Sequence, residues 1–406
     1  MGIGSALANS STIRITHNAC EDMFPHVSGD YVVWQGLVNG TFQVFLYDIP
    51  ARQGPTQITN EPWDNLNPQT DGKYIVWWAD KPSGAEIWLY DVGTGMRNQI
   101  SPPLAGNHYL PVIASGRVAW MQFIAGQENA REIFLYDVSN GVQQLTDDNL
   151  DDSAPRINDT AVIWNKTDED GMSKLFVHDF ATGATGLAPE DFVWEGSPQC
   201  DGVLTVSTRY DGQDWEIAVR NEYLKGLEQI TSNALDDGQP HINGSYIVWT
   251  SGTGDRAEIF LAVYTCLLPL SPGNGVTLSG SHAPTFTWQG VGYDAFRLQF
   301  SESLGFQTGN VLSFPSGEEN RLSGTSFIPT EEDWKAIRET ASVNGRVYWR
   351  VEGKLSNGGM GYSETWSFTI DEGGVRVTDT SIGYTGRNTP TSDSSGSSCF
   401  IGIASH

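Results

Sequence analysis

The sequence predicts an all-β chain: a six-bladed β-propeller whose N-terminal strand closes the last blade, followed by a β-sandwich. Three observations carry this reading. A proline-led unit recurs six times, each unit holds short apolar runs separated by turn residues, and after residue 266 the period gives way to aromatic strands of a different pattern. The composition agrees: 45 Gly suit tight turns, and 14 Trp, 14 Tyr and 17 Phe favour strands.

The unit is marked by Pro25, Pro68, Pro111, Pro155, Pro198 and Pro240, spaced 43, 43, 44, 43 and 42 residues apart. Nine residues after each proline come Trp34, Trp77, Trp120, Trp164, Ser207 and Trp249, so only the fifth copy departs. A third apolar strand follows in each unit, for example QVFLYD at 43–48, EIWLYD at 86–91 and EIFLYD at 132–137. The turns Ser28-Gly29-Asp30, Asp71-Gly72, Ser115-Gly116, Asn158-Asp159, Asp201-Gly202 and Asn243-Gly244 lie between the first and second strands, as hairpin chemistry requires.

Each unit closes on a short strand ending Ile-Thr or similar: Ile15-Thr16, Ile58-Thr59, Ile100-Ser101, Leu145-Thr146, Leu187-Ala188 and Ile230-Thr231. The first precedes the first proline and none follows the last unit. The chain therefore starts with an outer strand that has no blade and ends with a blade that has no outer strand. A blade buries its faces only against neighbours, so an open stack leaves two faces exposed. Pairing residues 11–16 with the last blade's third strand near Phe260 would seal the ring.

The pattern of proline, turn, hydrophobic-Val-Trp, Glu-Ile-Phe-Leu-Tyr-Asp and Leu-Thr resembles the bacterial TolB-type propeller repeat over residues 11–266. That resemblance implies the architecture and a platform for protein contacts. Residues 267–372 carry Pro284–Trp288, Phe296–Ser301, Val347–Val351 and Glu364–Ile370 as alternating aromatic strands. They resemble fibronectin type III or immunoglobulin-like modules, with Trp288 and Trp349 as the core tryptophans of two sheets. Thr330-Glu-Glu-Asp333 reads as a helix start over 331–340. Residues 373–406 read as a flexible Ser/Thr/Gly-rich tail, with Cys399 near a terminus open to processing or anchoring. Residues 1–8, ending Ala6-Leu7-Ala8, read as a signal-peptide remnant or as an arbitrary terminus. The domains expected are thus 9–266 and 267–372, flanked by these two ends.

The formal charge of −26 disfavours nucleic acid and anionic membranes as partners. No apolar run approaches the roughly 18 residues of a spanning helix. Four cysteines without CxxC spacing give neither a disulfide framework nor a zinc site. Cys200 reads as a core thiol, and Cys20 and Cys266 fall at opposite faces, too far apart to pair.

Candidate site residues come from the loops that join one unit to the next. Three residues before the prolines lie Asp22, Asn65, His108, Asp152, Glu195 and Asp237, and one residue earlier Glu21, Asp64, Asn107, Asp151, Trp194 and Asp236. One reading is a polar ring at the channel mouth that takes a cation or a basic segment. The other is that these side chains satisfy loop amides, as features repeated in every blade generally do. His108, Tyr109, Trp194 and Glu195 break the pattern and would be the place to look for blade-specific chemistry. Asp168 and Asp170 are weak calcium candidates in a hairpin that lacks the full ligand spacing, and Asp211-Gly-Gln-Asp214 reads as a similar solvated tip. No other cofactor is expected. With no His doublet, G-x-S-x-G elbow or phosphate loop, the expectation is a non-catalytic extracytoplasmic binding or scaffold protein whose partner is a protein or polysaccharide. The alternatives are a propeller-based carbohydrate-active enzyme or lectin, and a structural subunit of a surface assembly.

Overall fold

The computed structural model describes residues 9–102, 107–124, 130–167, 171–188, 200–201, 204–222, 226–306, 311–317, 319–356 and 358–371. Asp168, Asp170, Trp194, Glu195, Cys399, the first eight residues and the tail lie outside them, as does the side chain of Cys200. No helix among the described residues is long and apolar enough to cross a membrane.

Five blades are four-stranded antiparallel sheets in chain order. Blade one is Asp22–Ser28, Tyr31–Val38, Thr41–Asp48 and Thr56–Gln57. The sixth takes Asp237–Asn243, Tyr246–Ser251 and the first half of Glu258–Ser271 from the end of the repeat, and Asn9–Arg14 from the start of the chain. Asn9 pairs with Thr265 and Arg14 with Phe260, so the ring is sealed in the register the out-of-phase closures predict. The ladder continues through Ile15, whose amide donates to the Ile259 carbonyl at 2.8 Å.

The core sits between blades rather than within one. Val33 and Val44 of blade one pack with Ile75 and Trp77 of blade two. The seal is built in the same way: Ile15, Val27 and Trp34 pack with Val248, Ile259 and Leu261. The recurring Trp34, Trp77, Trp120, Trp164 and Trp249 are all at most 1% exposed. Burying one such ring removes roughly 200 Å² of surface, a gross gain on the order of 5 kcal/mol before conformational entropy is counted.

The closing threonines have a specific task. Thr59, Ser101, Thr146, Thr231 and Thr16 each accept a strand-three amide on the side-chain hydroxyl, from Val44, Ile87, Ile133, Ile217 and Ile259 at 2.8–3.0 Å. This extends a ladder that is only two to four residues long in most outer strands. In four blades a glutamine two residues earlier donates to the carbonyl of the same residue, and in the sixth Arg14 replaces it.

The recurring proline marks a β-bulge in the inner strand. Pairing slips between Met23 and His26, Leu66 and Gln69, Tyr109 and Val112, Ser153 and Arg156, and Gly238 and His241. The residue before the proline is left-handed each time: Phe24 (φ 55°), Asn67 (48°), Leu110 (51°), Ala154 (50°) and Gln239 (53°). Proline fits because a bulged residue needs no ladder donor.

The strand Glu258–Ser271 does not stop at the end of the propeller. Its second half pairs with Phe286–Val291, which pairs with Ser326–Phe327 to form one sheet of the sandwich. The division expected between 266 and 267 therefore falls inside a strand. The other sheet runs Val276–Ser279, Trp366–Asp371, Arg346–Lys354, Ala295–Ser301 and Leu312–Phe314, with Met360–Tyr362 beside the third of these. Trp288 and Trp349 lie buried between the two sheets. The helix spans Glu331–Glu339, with a Thr330–Asp333 capping box, and lays Trp334 and Ile337 on this core.

Deleting residues 1–17 removes the latch ladder, so the melting temperature should fall by about 10 °C or more; an unchanged melting curve would contradict a structural latch. Ala154→Gly should stabilise the chain by up to about 1 kcal/mol in denaturant titration, the reverse of the usual Ala-to-Gly effect, because glycine accepts positive φ without the Cβ clash.

Candidate functional site

The five described polar residues three places before the prolines are buried in the blades, each at most 2% exposed. Four of them accept the indole N–H of their own blade's tryptophan: Asp22 from Trp34 at 2.9 Å, Asn65 from Trp77 at 2.8 Å, His108 from Trp120 at 3.2 Å and Asp152 from Trp164 at 2.7 Å. The chemistry explains the interchange of Asp, Asn and His, since each offers an acceptor of similar reach. His108 must accept on an unprotonated Nδ1, and burial lowers its pKa to about 4. Burial pushes Asp22 and Asp152 upward, and Lys166, 3.1 Å from Asp152, opposes the rise there. In blade six Trp249 Nε1 and Asp237 Oδ1 are both buried without a partner, while Asp237 Oδ2 accepts from Asn233. Tyr109 packs edge-on against Trp78 and Phe123.

The residues one place earlier bridge blades. Asp64, Asn107, Asp151 and Asp236 accept the backbone amides of Phe42, Ala85, Arg131 and Trp215, all at the start of strand three in the preceding blade, at 2.7–3.2 Å. The structure thus brings these two sets of side chains to tryptophans and to amides at the start of strand three, not to one another.

The central channel is lined instead by residues after the bulge and by the first hairpin turns. Its volume is about 1070 Å³. One residue after each described proline, His26, Gln69, Val112, Arg156 and His241 line it. That position was readable from the repeat, but its mixed chemistry carried no pattern. At one mouth the hairpin turns latch blade to blade. Gly116 N–H donates to Asp71 at 2.7 Å, Ser115 Oγ to Asp159 at 2.6 Å, Gly29 N–H to Asn243 at 3.1 Å, and Gly244 N–H to Asp201.

His26 and His241 face each other with ring centroids 3.7 Å apart. Their Nδ1 atoms accept the amides of Thr70 and Val27, both at 3.3 Å, which leaves the ring proton on Nε2. Burial lowers His241 to about 4, and burial together with the neighbouring His241 ring holds His26 well below its usual range. Arg156 is exposed to the lumen and has no ion-pair or hydrogen-bond partner among the described residues. Cys20 and Cys266 are unpaired thiols, and burial raises Cys266 to about 12.

No family model matches the chain, and no curated protein matches it. Solved structures with a related shape include an oligogalacturonate lyase in complex with manganese, at 13% identity and a TM-score of 0.44, covering 64% of this chain and 96% of that one. TolB from Acinetobacter baumannii is 19% identical with a TM-score of 0.32, over 54% of this chain and 59% of that one. The propeller domain of the Trilobed protease from Pyrococcus furiosus is 10% identical with a TM-score of 0.34, over 60% and 93%. The assignment as a propeller rests on the strand order itself.

The histidine pair sets a pH response. Because folding lowers both pKa values, the unfolded chain binds more protons between about 4 and 6.5, so the stability these groups contribute is complete above about 6.5 and is lost as pH falls toward about 4. Asp22 and Asp152, raised on folding, act with the opposite sign. His241→Gln keeps an acceptor and removes the titration, so its melting temperature should fall less than that of the unaltered chain between pH 6.5 and about 4.5. Parallel curves would count against the pair as the origin of the slope.

Proposed function

We propose that this chain is a non-catalytic, extracytoplasmic binding or scaffold protein. Its propeller channel receives an extended acidic segment of a protein or polysaccharide, and the sandwich, a module of fibronectin type III or immunoglobulin-like kind, serves as spacer or second contact. The observation that carries this reading is Arg156. It is a guanidinium with no partner among the described residues, facing a wide lumen of mixed polar and apolar lining in a chain of net charge −26. The neighbouring amide and imidazole groups supply neutral hydrogen-bond partners, and an arginine fork suits a carboxylate. The repeated polar residues of the loops are engaged by the scaffold, whereas the lumen side chains differ from blade to blade, as a binding surface requires.

A second reading, a carbohydrate-active enzyme or lectin, draws on the neutral His26–His241 pair in the same lumen. Calorimetric titration with acidic peptides and acidic oligosaccharides tests the channel reading, and an assay for new reducing ends on the same oligosaccharides tests the enzyme. Arg156→Ala should weaken binding about tenfold or more, with the melting temperature moved by no more than about 1 °C. Unchanged affinity in the variant would remove the channel reading, and new saccharide ends would favour the enzyme.

A further inference from the structure

We propose a calcium site at the junction of blades five and six, formed by Asp211, Asp214 and Glu216 with Asp236 beside them. Asp211 and Asp214 belong to the hairpin between Leu204–Tyr210 and Trp215–Asn221, and Glu216 to the second of these strands. One carboxylate oxygen from each of Asp211, Asp214 and Glu216 lies within 4.8 Å of the others. Two oxygens bound to one calcium at 2.3–2.6 Å stand no farther apart than roughly this distance.

The sequence suggested a solvated hairpin tip here. The structure corrects that for Asp214, which is 8% exposed, and Glu216, which is 0% exposed. Asp214 Oδ1 and Glu216 Oε2 are buried with no hydrogen-bond partner. Three other oxygens of the group accept backbone amides. Asp211 Oδ1 accepts the amides of Gln213 and Asp214 at 2.8 and 3.3 Å, Glu216 Oε1 accepts that of Asn233 at 2.9 Å, and Asp236 Oδ1 that of Trp215 at 3.1 Å.

Comparison with the other junctions isolates what is particular here. A buried glutamate or glutamine at the start of strand three recurs in several blades, and Glu132 also has an unpartnered oxygen, so Glu216 alone reflects the blade. Asp214 has no counterpart: two residues before the matching positions stand Thr41, Gly84, Ala130, Met172 and Arg256. The other described junctions also carry a cation of their own. Arg14 meets Glu258, Arg97 meets Glu61, Lys81 meets Glu86, Arg131 meets Asp151, and Lys166 meets Asp148 and Asp152. Between blades five and six none of the carboxylates has an ion pair among the described residues. Arg209, opposite Glu216 in the ladder, is exposed and has no ion pair among the described residues. Two buried carboxylates, Asp214 and Glu216, beside the exposed Asp211 and Asp236 are unfavourable unless protonated or bridged by a cation. All-oxygen donors of high charge density fit a hard divalent ion, and their attachment to a hairpin allows the irregular shell that calcium accepts.

The test uses the full chain. Calcium chloride at about a hundred times the dissociation constant should raise the melting temperature by about 3 °C or more. Terbium, which takes calcium's oxygen sites, should give luminescence sensitised by Trp215 on the same hairpin. Asp214→Asn and Glu216→Gln should each abolish both signals. In metal-free buffer Asp214→Asn should melt at or above the temperature of the unaltered chain, because one of the repelling charges is gone, and this establishes that it folds. Absence of any calcium or terbium response in the unaltered chain, or a response kept in both variants, would overturn the site and show a protonated carboxylate cluster instead.

Discussion

Everything in the propeller depends on the ring being closed. A blade of four short strands has two faces and no core of its own, and the apolar clusters here form between blades, not within them. An unclosed end would expose a tryptophan layer to water. The closure is made by pairing residues 9–14 with 260–265, the two ends of the repeat region, so every inter-blade interface is conditional on a single long-range ladder. This places a large loop-closure entropy before the reward of stacking. It also explains why the junctions carry so many backbone-directed side chains. The Asp64, Asn107, Asp151 and Asp236 bridges and the Asp71, Asp201 and Asn243 turn latches tie neighbouring blades together at the described junctions.

The same strand that receives the latch begins the sandwich. Along Glu258–Ser271 the side chains alternate: Cys266 and Leu268 pack into the cluster between blades five and six, whereas Leu267 joins the sandwich core. Gly292 makes the close approach at this join possible, since a Cβ there would lie 3.0–3.2 Å from Thr265 and Ser245. The two architectures are therefore joined by a shared ladder, and fraying of the latch and of the first sandwich strand should be coupled through it.

What could be read in advance follows from what leaves a chemical mark. The blade count, the strand offset and the helix at Thr330 were legible because packing and capping demand particular residue types at fixed spacing. The bulge was hidden. Phe24, Asn67, Leu110, Ala154 and Gln239 share a backbone conformation and nothing else, so no residue type announced it, and only the proline beside it recurred. The polar loop residues Asp22, Asn65, His108 and Asp152 were legible as a pattern but not as a location. Their buried bonds to Trp34, Trp77, Trp120 and Trp164 span twelve residues and a bulge, and periodicity alone does not say whether a side chain turns inward to its blade or outward to the channel.

That distinction governs how function is sought in a repeat architecture. A residue kept in phase across blades answers to a demand that every blade shares, such as an indole that needs an acceptor or a strand end that needs a hydroxyl. Chemistry beyond the fold must then reside where phase is broken. Two places meet this condition for different reasons. In the lumen the position after the proline is occupied by His, Gln, Val, Arg and His, and only the two histidines share a structural task, each accepting an amide of the next blade. At the fifth blade the shared tryptophan is Ser207 and an acidic hairpin stands in a junction where the others hold lysine or arginine. A blade that lacks the common core ring has less apolar packing to hold its edge, and a cation bridging Asp211, Asp214 and Glu216 would tie its hairpin to the strand beneath at that edge. The proposed ion site would thus belong to blade stability at the fifth position, and the proposed recognition in the channel would be a separate feature of the fold.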